Sequence, residues 1–185
     1  MPARKQAAKE WARMNGTRRN IELKARCADL AAAEEAARRL GAKRAGVLRQ
    51  IDTYFHAPLG RLKLRQTEGG RAELIAYERP NDPAARGSDY HLAPTDGADA
   101  LLRALTAALG VRGEVRKVRT LYLWHNVRIH LDEVAGLGSF LEFEAVLSAA
   151  DDEATGFARV ADLRRALGVG DSDLIAGSYS DLLGL

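Results

Sequence analysis

Apolar and polar residues alternate through much of this chain with the two-residue period of a β-strand. In residues 20–26 the charges Glu22, Lys24 and Arg26 fall on one face, and Ile21, Leu23 and Ala25 on the other. The same alternation predicts strands over 20–27, 46–55, 61–65, 73–79, 115–123, 126–134 and 140–147, with turns at Pro58-Leu59-Gly60, Gly69-Gly70 and Gly136-Leu137-Gly138. A 3.6-residue period predicts a helix from Asp29 to Gly41, a second over 98–109 closed by Gly110, and a long last helix opened by Asp151-Asp152-Glu153. Residues 80–97, rich in Pro, Gly, Asn and Asp, read as a loop with at most one short strand at 90–92. The partly apolar tail at 178–183 is expected to dock on the domain. No repeat or linker divides the chain.

Strands and helices so interspersed make an α+β fold. Strands charged on one face and apolar on the other need apolar cover on the second face only, and three amphipathic helices supply it. The geometry that satisfies both faces is a β-barrel with a polar lumen and flanking helices.

Composition narrows the setting. The 185 residues are 46% apolar and 29% charged, enough for one domain with a sizeable core. No apolar run reaches bilayer-spanning length, and the N-terminus shows no secretory pattern, so no membrane partner is expected. Cys27 is the single cysteine, which rules out an internal disulfide and suits a reducing, cytoplasmic compartment. The net charge of +3 hides an asymmetry: residues 1–19 hold six cations against Glu10 alone, leaving −2 for the rest of the chain. Residues 1–17 are therefore read as a basic, disordered extension and 18–185 as the folded domain.

The charged faces carry the candidate chemistry. Lys63 and Arg65 share one, with Arg61 in phase. Lys117 and Arg119 share another, Arg128, His130 and Asp132 a third, and Glu142 and Glu144 a fourth. Taken singly, each is an ordinary half-buried strand showing its charges to water. Five together, mostly basic but with clustered acids, converge if the sheet closes. Confined Lys and Arg side chains suit the oxygens of a triphosphate. Carboxylates in the same lumen need a cation between themselves and phosphate, and Mg²⁺ or Mn²⁺ fits oxygen ligands. Lys24, Arg26, Lys63, Arg65, Lys117, Arg119 and Arg128 are the candidate phosphate contacts. Glu22, Asp132, Glu142 and Glu144 are the candidate metal ligands, with Asp132, Glu22 and Lys24 nearest to catalysis. His56, His91 and His125 show no ligand spacing. His130 shares the Asp132 face and could enter the lumen, where a structural role serves equally well. Basic residues alternating with acids, and no RNA-stacking motif, argue against a nucleic-acid partner.

As a set these motifs resemble the CYTH family, the triphosphate tunnel proteins that include class IV adenylate cyclases and thiamine triphosphatases. The family's E-x-E-x-K strand reads Asn20-Ile21-Glu22-Leu23-Lys24 here. A basic L-R strand (Lys63-Leu64-Arg65), K-x-R (Lys117-Val118-Arg119), a strand ending in Asp132 and a late E-x-E (Glu142-Phe143-Glu144) follow in the family's order. The resemblance implies an eight-stranded antiparallel β-barrel, a triphosphate tunnel, that binds a triphosphate and a divalent metal. The Gly136–Phe140 turn and the Ser178-Tyr179-Ser180-Asp181-Leu182-Leu183-Gly184 tail look most like the cyclase branch, which converts ATP to cyclic AMP and pyrophosphate. A triphosphatase acting on thiamine triphosphate, inorganic triphosphate or a nucleotide is the alternative, and a non-catalytic polyphosphate or nucleotide binder the next. Two positions depart from the family: Asn20 replaces a Glu, and Glu78 stands where a lysine is usual. Arg79, in phase with Tyr77, is the expected substitute for that lysine. Apolar strand faces and helices would permit a homodimer.

Overall fold

The computed structural model describes residues 18–148 and 151–185; the basic extension expected at 1–17 lies outside them. The elements are β1 (Arg18–Arg26), α1 (Leu30–Arg39), β2 (Lys43–Phe55), β3 (Arg61–Thr67), β4 (Ala72–Glu78), β5 (Arg86–Thr95), α2 (Ala98–Leu109), β6 (Val111–Trp124), β7 (Val127–Val134), β8 (Gly138–Leu147), α3 (Glu153–Ala166), a 3₁₀ turn at Asp171–Asp173 and α4 (Tyr179–Leu182). The strands close into one barrel in the order β1-β5-β4-β3-β2-β6-β7-β8. Every pairing is antiparallel. Closure leaves no sheet edge and gives each strand a lumen face and an outer face.

The outer face is the hydrophobic core. Ile21, Leu23, Ile129, Leu131, Leu141 and Phe143 pack with Ala33 and Ala37 of α1 and Val160 and Leu163 of α3. Leu101, Leu105 and Leu109 of α2 cover Phe55, Leu64 and Leu74. Asp29 caps α1 by accepting from the Ala32 amide at 2.9 Å, and Asp152 caps α3 through the Ala154 amide. No helix among the described residues is long and apolar enough to cross a membrane.

One expectation is overturned. Residues 80–97 are not a loop with a three-residue strand, because β5 runs ten residues and joins β1 to β4. Its breaker-like composition has a packing cause. Gly87 lies against Arg19, whose guanidinium would stand 2.6 Å from a Cβ at that position. Arg19 in turn binds Asp89 at 2.7 Å and Glu153 of α3 at 2.6 Å. A small residue and an acid in mid-strand thus serve one arginine.

The tail docks as expected, across one end of the barrel. Leu174 bridges to Ala25, and the Ile175 amide donates to the Lys24 carbonyl at 2.9 Å. Tyr179, Leu182, Leu183 and Leu185 form a cluster with Tyr54, Val115, Val134 and Phe140. Ser178 and Asp181 cap α4 reciprocally. Arg61 binds Asp181 at 2.9 Å, Arg79 donates to the Ala176 carbonyl at 3.0 Å, and Arg112 donates to the Leu185 carbonyl. The opposite end opens past Arg128, whose side chain is 43% exposed.

Candidate functional site

The alternation of each strand decides what enters the lumen. Asn20, Glu22 and Lys24 of β1, Asp52 and Tyr54 of β2, Lys63 and Arg65 of β3, Ile75 and Tyr77 of β4 and Ser88, Tyr90 and Leu92 of β5 line it. Lys117 and Arg119 of β6, Arg128 of β7 and Glu142 and Glu144 of β8 complete the ring, and Arg79, Ser178 and Tyr179 stand at the closed end.

Two ionic groups occupy this space. The first centres on Asp52, which is 1% exposed. It accepts from Lys63 at 2.9 Å, from Lys117 at 2.7 Å, and from Arg65 through two nitrogens at 2.7 and 2.9 Å. Burial alone would raise the Asp52 carboxyl, but Arg65, Lys117 and Lys63 hold it well below its ordinary value. Burial lowers Lys117 to about 7, reinforced by Arg65, Arg119 and Lys63 and opposed by Asp52.

The second group centres on Glu142, which receives Lys24 at 2.7 Å on one oxygen and Arg119 at 2.7 Å on the other. Against the effect of burial, Lys24, His130 and Arg119 keep its carboxyl well below the usual range. His130 Nδ1 lies 3.2 Å from the same carboxylate, and its Nε2 lies 3.9 Å from Glu144. Burial and Arg119 lower the His130 pKa, which favours the neutral imidazole. Arg119 also grips Asp132 with two nitrogens, at 2.7 and 2.6 Å, and the Tyr179 hydroxyl donates to Asp132 at 2.7 Å. Lys24 Nζ stands 3.7 Å from the centroid of the Tyr179 ring. Glu22 faces Arg79 at 2.9 Å and Arg86 at 3.3 Å, yet burial and the neighbouring Glu142 raise its pKa.

The strands therefore gather Lys24, Lys63, Arg65, Arg79, Lys117, Arg119, Arg128, Glu22, Glu142 and Glu144 around one space. Two residues fall outside it. Arg26, the last residue of β1, is still paired with Phe140 but exposed at the rim, 5.4 Å from the Phe140 ring. Asp132 is fully buried beneath the lining, engaged by Arg119 and Tyr179. Glu78 is exposed, whereas Arg79 is buried at 9% exposure and lines the lumen. Sequence reasoning missed Asp52 and Arg86. Asp52 shares the Gln50 and Tyr54 face of an alternating strand, and that parity was its only signal. Arg86 was hidden in the supposed loop.

The donors present suit a divalent cation. Glu142 and Glu144 are paired acids on one face of β8, and Asn20, 5% exposed on the same lining, has an amide oxygen with no hydrogen-bond partner among the described residues. A buried, unsatisfied oxygen on the same lining as two carboxylates is chemistry that a hard cation with its water completes.

Comparison with known proteins agrees with this geometry. The sequence matches the CYTH domain family over residues 18–179. A protein of Methanocaldococcus jannaschii described as a candidate adenylate cyclase is 24% identical over 137 residues, 73% of this chain and 77% of the relative. The structure of the PH1012 protein from Pyrococcus horikoshii superposes with a TM-score of 0.78 at 25% identity, covering 88% of this chain and 98% of that one. A candidate adenylyl cyclase from Hippeastrum, described as having a dominant triphosphatase activity, shares the fold at a TM-score of 0.61 and 17% identity, over 89% of this chain and 94% of that one. With a closed eight-stranded tunnel and a family match across nearly all the described residues, this chain belongs to the CYTH domain family.

Proposed function

We propose that the lumen binds the triphosphate of a nucleotide together with a divalent cation, Mg²⁺ or Mn²⁺, and that the protein is a class IV adenylate cyclase-like enzyme, converting ATP to cyclic AMP and pyrophosphate. The observation that carries this is the interior charge balance. Eight cations (the seven lining the lumen plus Arg86) face five carboxylates (Glu22, Asp52, Asp132, Glu142 and Glu144) in and around one lumen, all largely buried except Arg128 at its open end. Uncompensated buried charge is costly, so an excess of three positive charges, reached when Lys117 is protonated, calls for a polyanion.

The lining also divides by polarity along the tunnel. Ile75 and Leu92 are cross-strand neighbours, and so are Tyr77 and Tyr90. Leu92 lies beyond the register position of Arg18 at the start of β1, on the side away from the sealed end. The surface of Ile75, Leu92 and Tyr90 there suits an organic headgroup, with the phosphates deeper among Lys24, Arg79, Lys117 and Arg119. In that pose Lys63, Arg65 and Lys117 exchange Asp52 for phosphate oxygens, and Arg119, held flat by Asp132, meets charge developing on the leaving pyrophosphate. A cation held by Glu142 and Glu144 would lower the charge on the phosphate oxygens and activate the nucleophile or leaving group. The ribose 3′-hydroxyl then displaces pyrophosphate from the α-phosphorus in line.

The description of the Hippeastrum protein favours hydrolysis as the second reading, in which water attacks the terminal phosphorus. Incubation with ATP, thiamine triphosphate and inorganic triphosphate in Mg²⁺ or Mn²⁺ separates the two. Cyclic AMP with pyrophosphate supports the cyclase, orthophosphate supports the triphosphatase, and binding without product reduces the protein to a nucleotide or polyphosphate binder. The single, half-buried Cys27 is consistent with a cytoplasmic setting.

A further inference from the structure

The imidazole of His130 has no part in the reaction scheme above, yet it is 3% exposed and wedged between the two lumen acids of β8. Register explains its position. His130 lies opposite Glu142 across the β7–β8 ladder, and Arg128 lies opposite Glu144, so all four share the inward parity in two adjacent rungs; Arg128, Glu142 and Glu144 line the lumen, and His130 is buried against Glu142. One ligand atom from each of His130, Glu142 and Glu144 can be chosen so that all lie within 4.8 Å of one another. Two donors on opposite sides of a small divalent cation, each about 2.1 Å from it, stand about 4.2 Å apart, so only slight contraction closes this set around an ion.

Two further observations point to a ligand. Glu144 is weakly engaged, with Arg128 no closer than 3.7 Å. The buried amide oxygen of Asn20, without a hydrogen-bond partner among the described residues, comes from β1, where Glu22 pairs with Glu144 and Asn20 with Val146. Asn20 is thus one lumen-facing step from Glu144. An imidazole, two carboxylates and an amide oxygen make a mixed nitrogen–oxygen set. Nitrogen donors discriminate where carboxylates do not: imidazole binds first-row transition ions far better than Mg²⁺, which holds to oxygen and water.

We propose that His130 is an inner-shell ligand of the lumen's divalent cation, and that with Glu142, Glu144 and Asn20 it makes a site selective for a transition ion, Mn²⁺ rather than Mg²⁺. This rests on the metal-dependent reading above but is tested without turnover. The whole chain is titrated with Mn²⁺ and with Mg²⁺ in the absence of nucleotide, and the Mn²⁺-loaded protein is examined by pulsed electron paramagnetic resonance. The expected result is Mn²⁺ affinity at least about tenfold above that for Mg²⁺. Modulation from the remote imidazole nitrogen should also appear, and should change when the protein carries ¹⁵N-histidine. His130→Gln removes the modulation and weakens Mn²⁺ about tenfold while leaving Mg²⁺ nearly unchanged. No imidazole modulation, no Mn²⁺ binding, or an equal loss of both ions in His130→Gln overturns the proposal, the last by marking the histidine as merely structural. The wild-type spectrum stands even if the variant folds poorly. Imidazole-bound Mn²⁺ without cyclic AMP or orthophosphate formation sinks the enzymatic reading alone; turnover without imidazole coordination sinks this one alone.

Discussion

The two ends of the lumen's charge distribution are built differently. Around Asp52, three cations share one carboxylate, and all four groups come from the adjacent strands β2, β3 and β6. Around Glu142, the carboxylates of Asp132 and Glu144 mingle with Lys24, Arg119 and His130, contributed by β1, β6, β7 and β8. On the proposed reading, the first group is a cation store with an internal stand-in for phosphate. The second would then have enough acid to hold a metal and enough base to meet the anion the metal carries. A tunnel need not be uniformly basic to receive a polyphosphate. It needs a region that gives up its own anion and another that shares one.

That contrast can be broken most sharply at Arg119, which holds Asp132 and Glu142 together. Arg119→Ala should cut kcat/KM by about 10³-fold, since a charge-assisted donor and the alignment of two acids are lost at once. Steady-state rates on the proposed substrate check it, with circular dichroism to show that the fold survives. Next is Asp52→Asn, which leaves three buried cations without their shared anion. Breaking such a pair costs about 3 kcal/mol, so the melting temperature of the substrate-free protein should fall by several degrees. Saturating inorganic triphosphate should recover most of the loss, because the ligand supplies the missing charge.

Lys117 sharpens the comparison through pH. With its pKa lowered to about 7 from 10.5, the folded chain releases this proton near neutrality while the unfolded chain keeps it. Between those values stability from this group rises with pH. Phosphate binding runs the other way, because it requires the charged amine and must take up the proton above pH 7. Affinity for inorganic triphosphate should therefore drop by up to about tenfold per pH unit there, relative to Lys117→Arg, which stays charged. Calorimetry in two buffers of different ionisation enthalpy reads the proton directly. The smallest effect belongs to Arg26, exposed beyond the sealed end. Arg26→Ala should change kcat/KM by less than about twofold, as surface substitutions do, and a large loss would show that the tunnel continues past the tail.

How much of this was legible depended on parity. Lys24, Lys63, Arg65, Lys117, Arg119, Glu142 and Glu144 could be placed on inner faces because each strand alternates strictly and apolar residues mark its outer face. Asp52 escaped because one acid on an alternating strand reads as solvent-facing; its meaning comes from Lys63, Arg65 and Lys117 on two neighbouring strands. β5 escaped because Gly87 and Asp89 look like turn residues until Arg19, from a strand nearly seventy positions earlier, is seen to need both. Arg26 had the right parity but the wrong height, since periodicity says which way a side chain points and not where the barrel ends. Asp132 had the right face, but its burial under Tyr179 depends on a tail that only the closed fold brings near.

The docked tail has a kinetic consequence. With Leu182, Leu183 and Leu185 stoppering one end, traffic is last in, first out. On the cyclase reading the headgroup half of the molecule stands nearer the entrance, so cyclic AMP must depart before pyrophosphate can. Pyrophosphate should then inhibit competitively with ATP and cyclic AMP noncompetitively, a signature of ordered exit that an open-ended pipe would not produce.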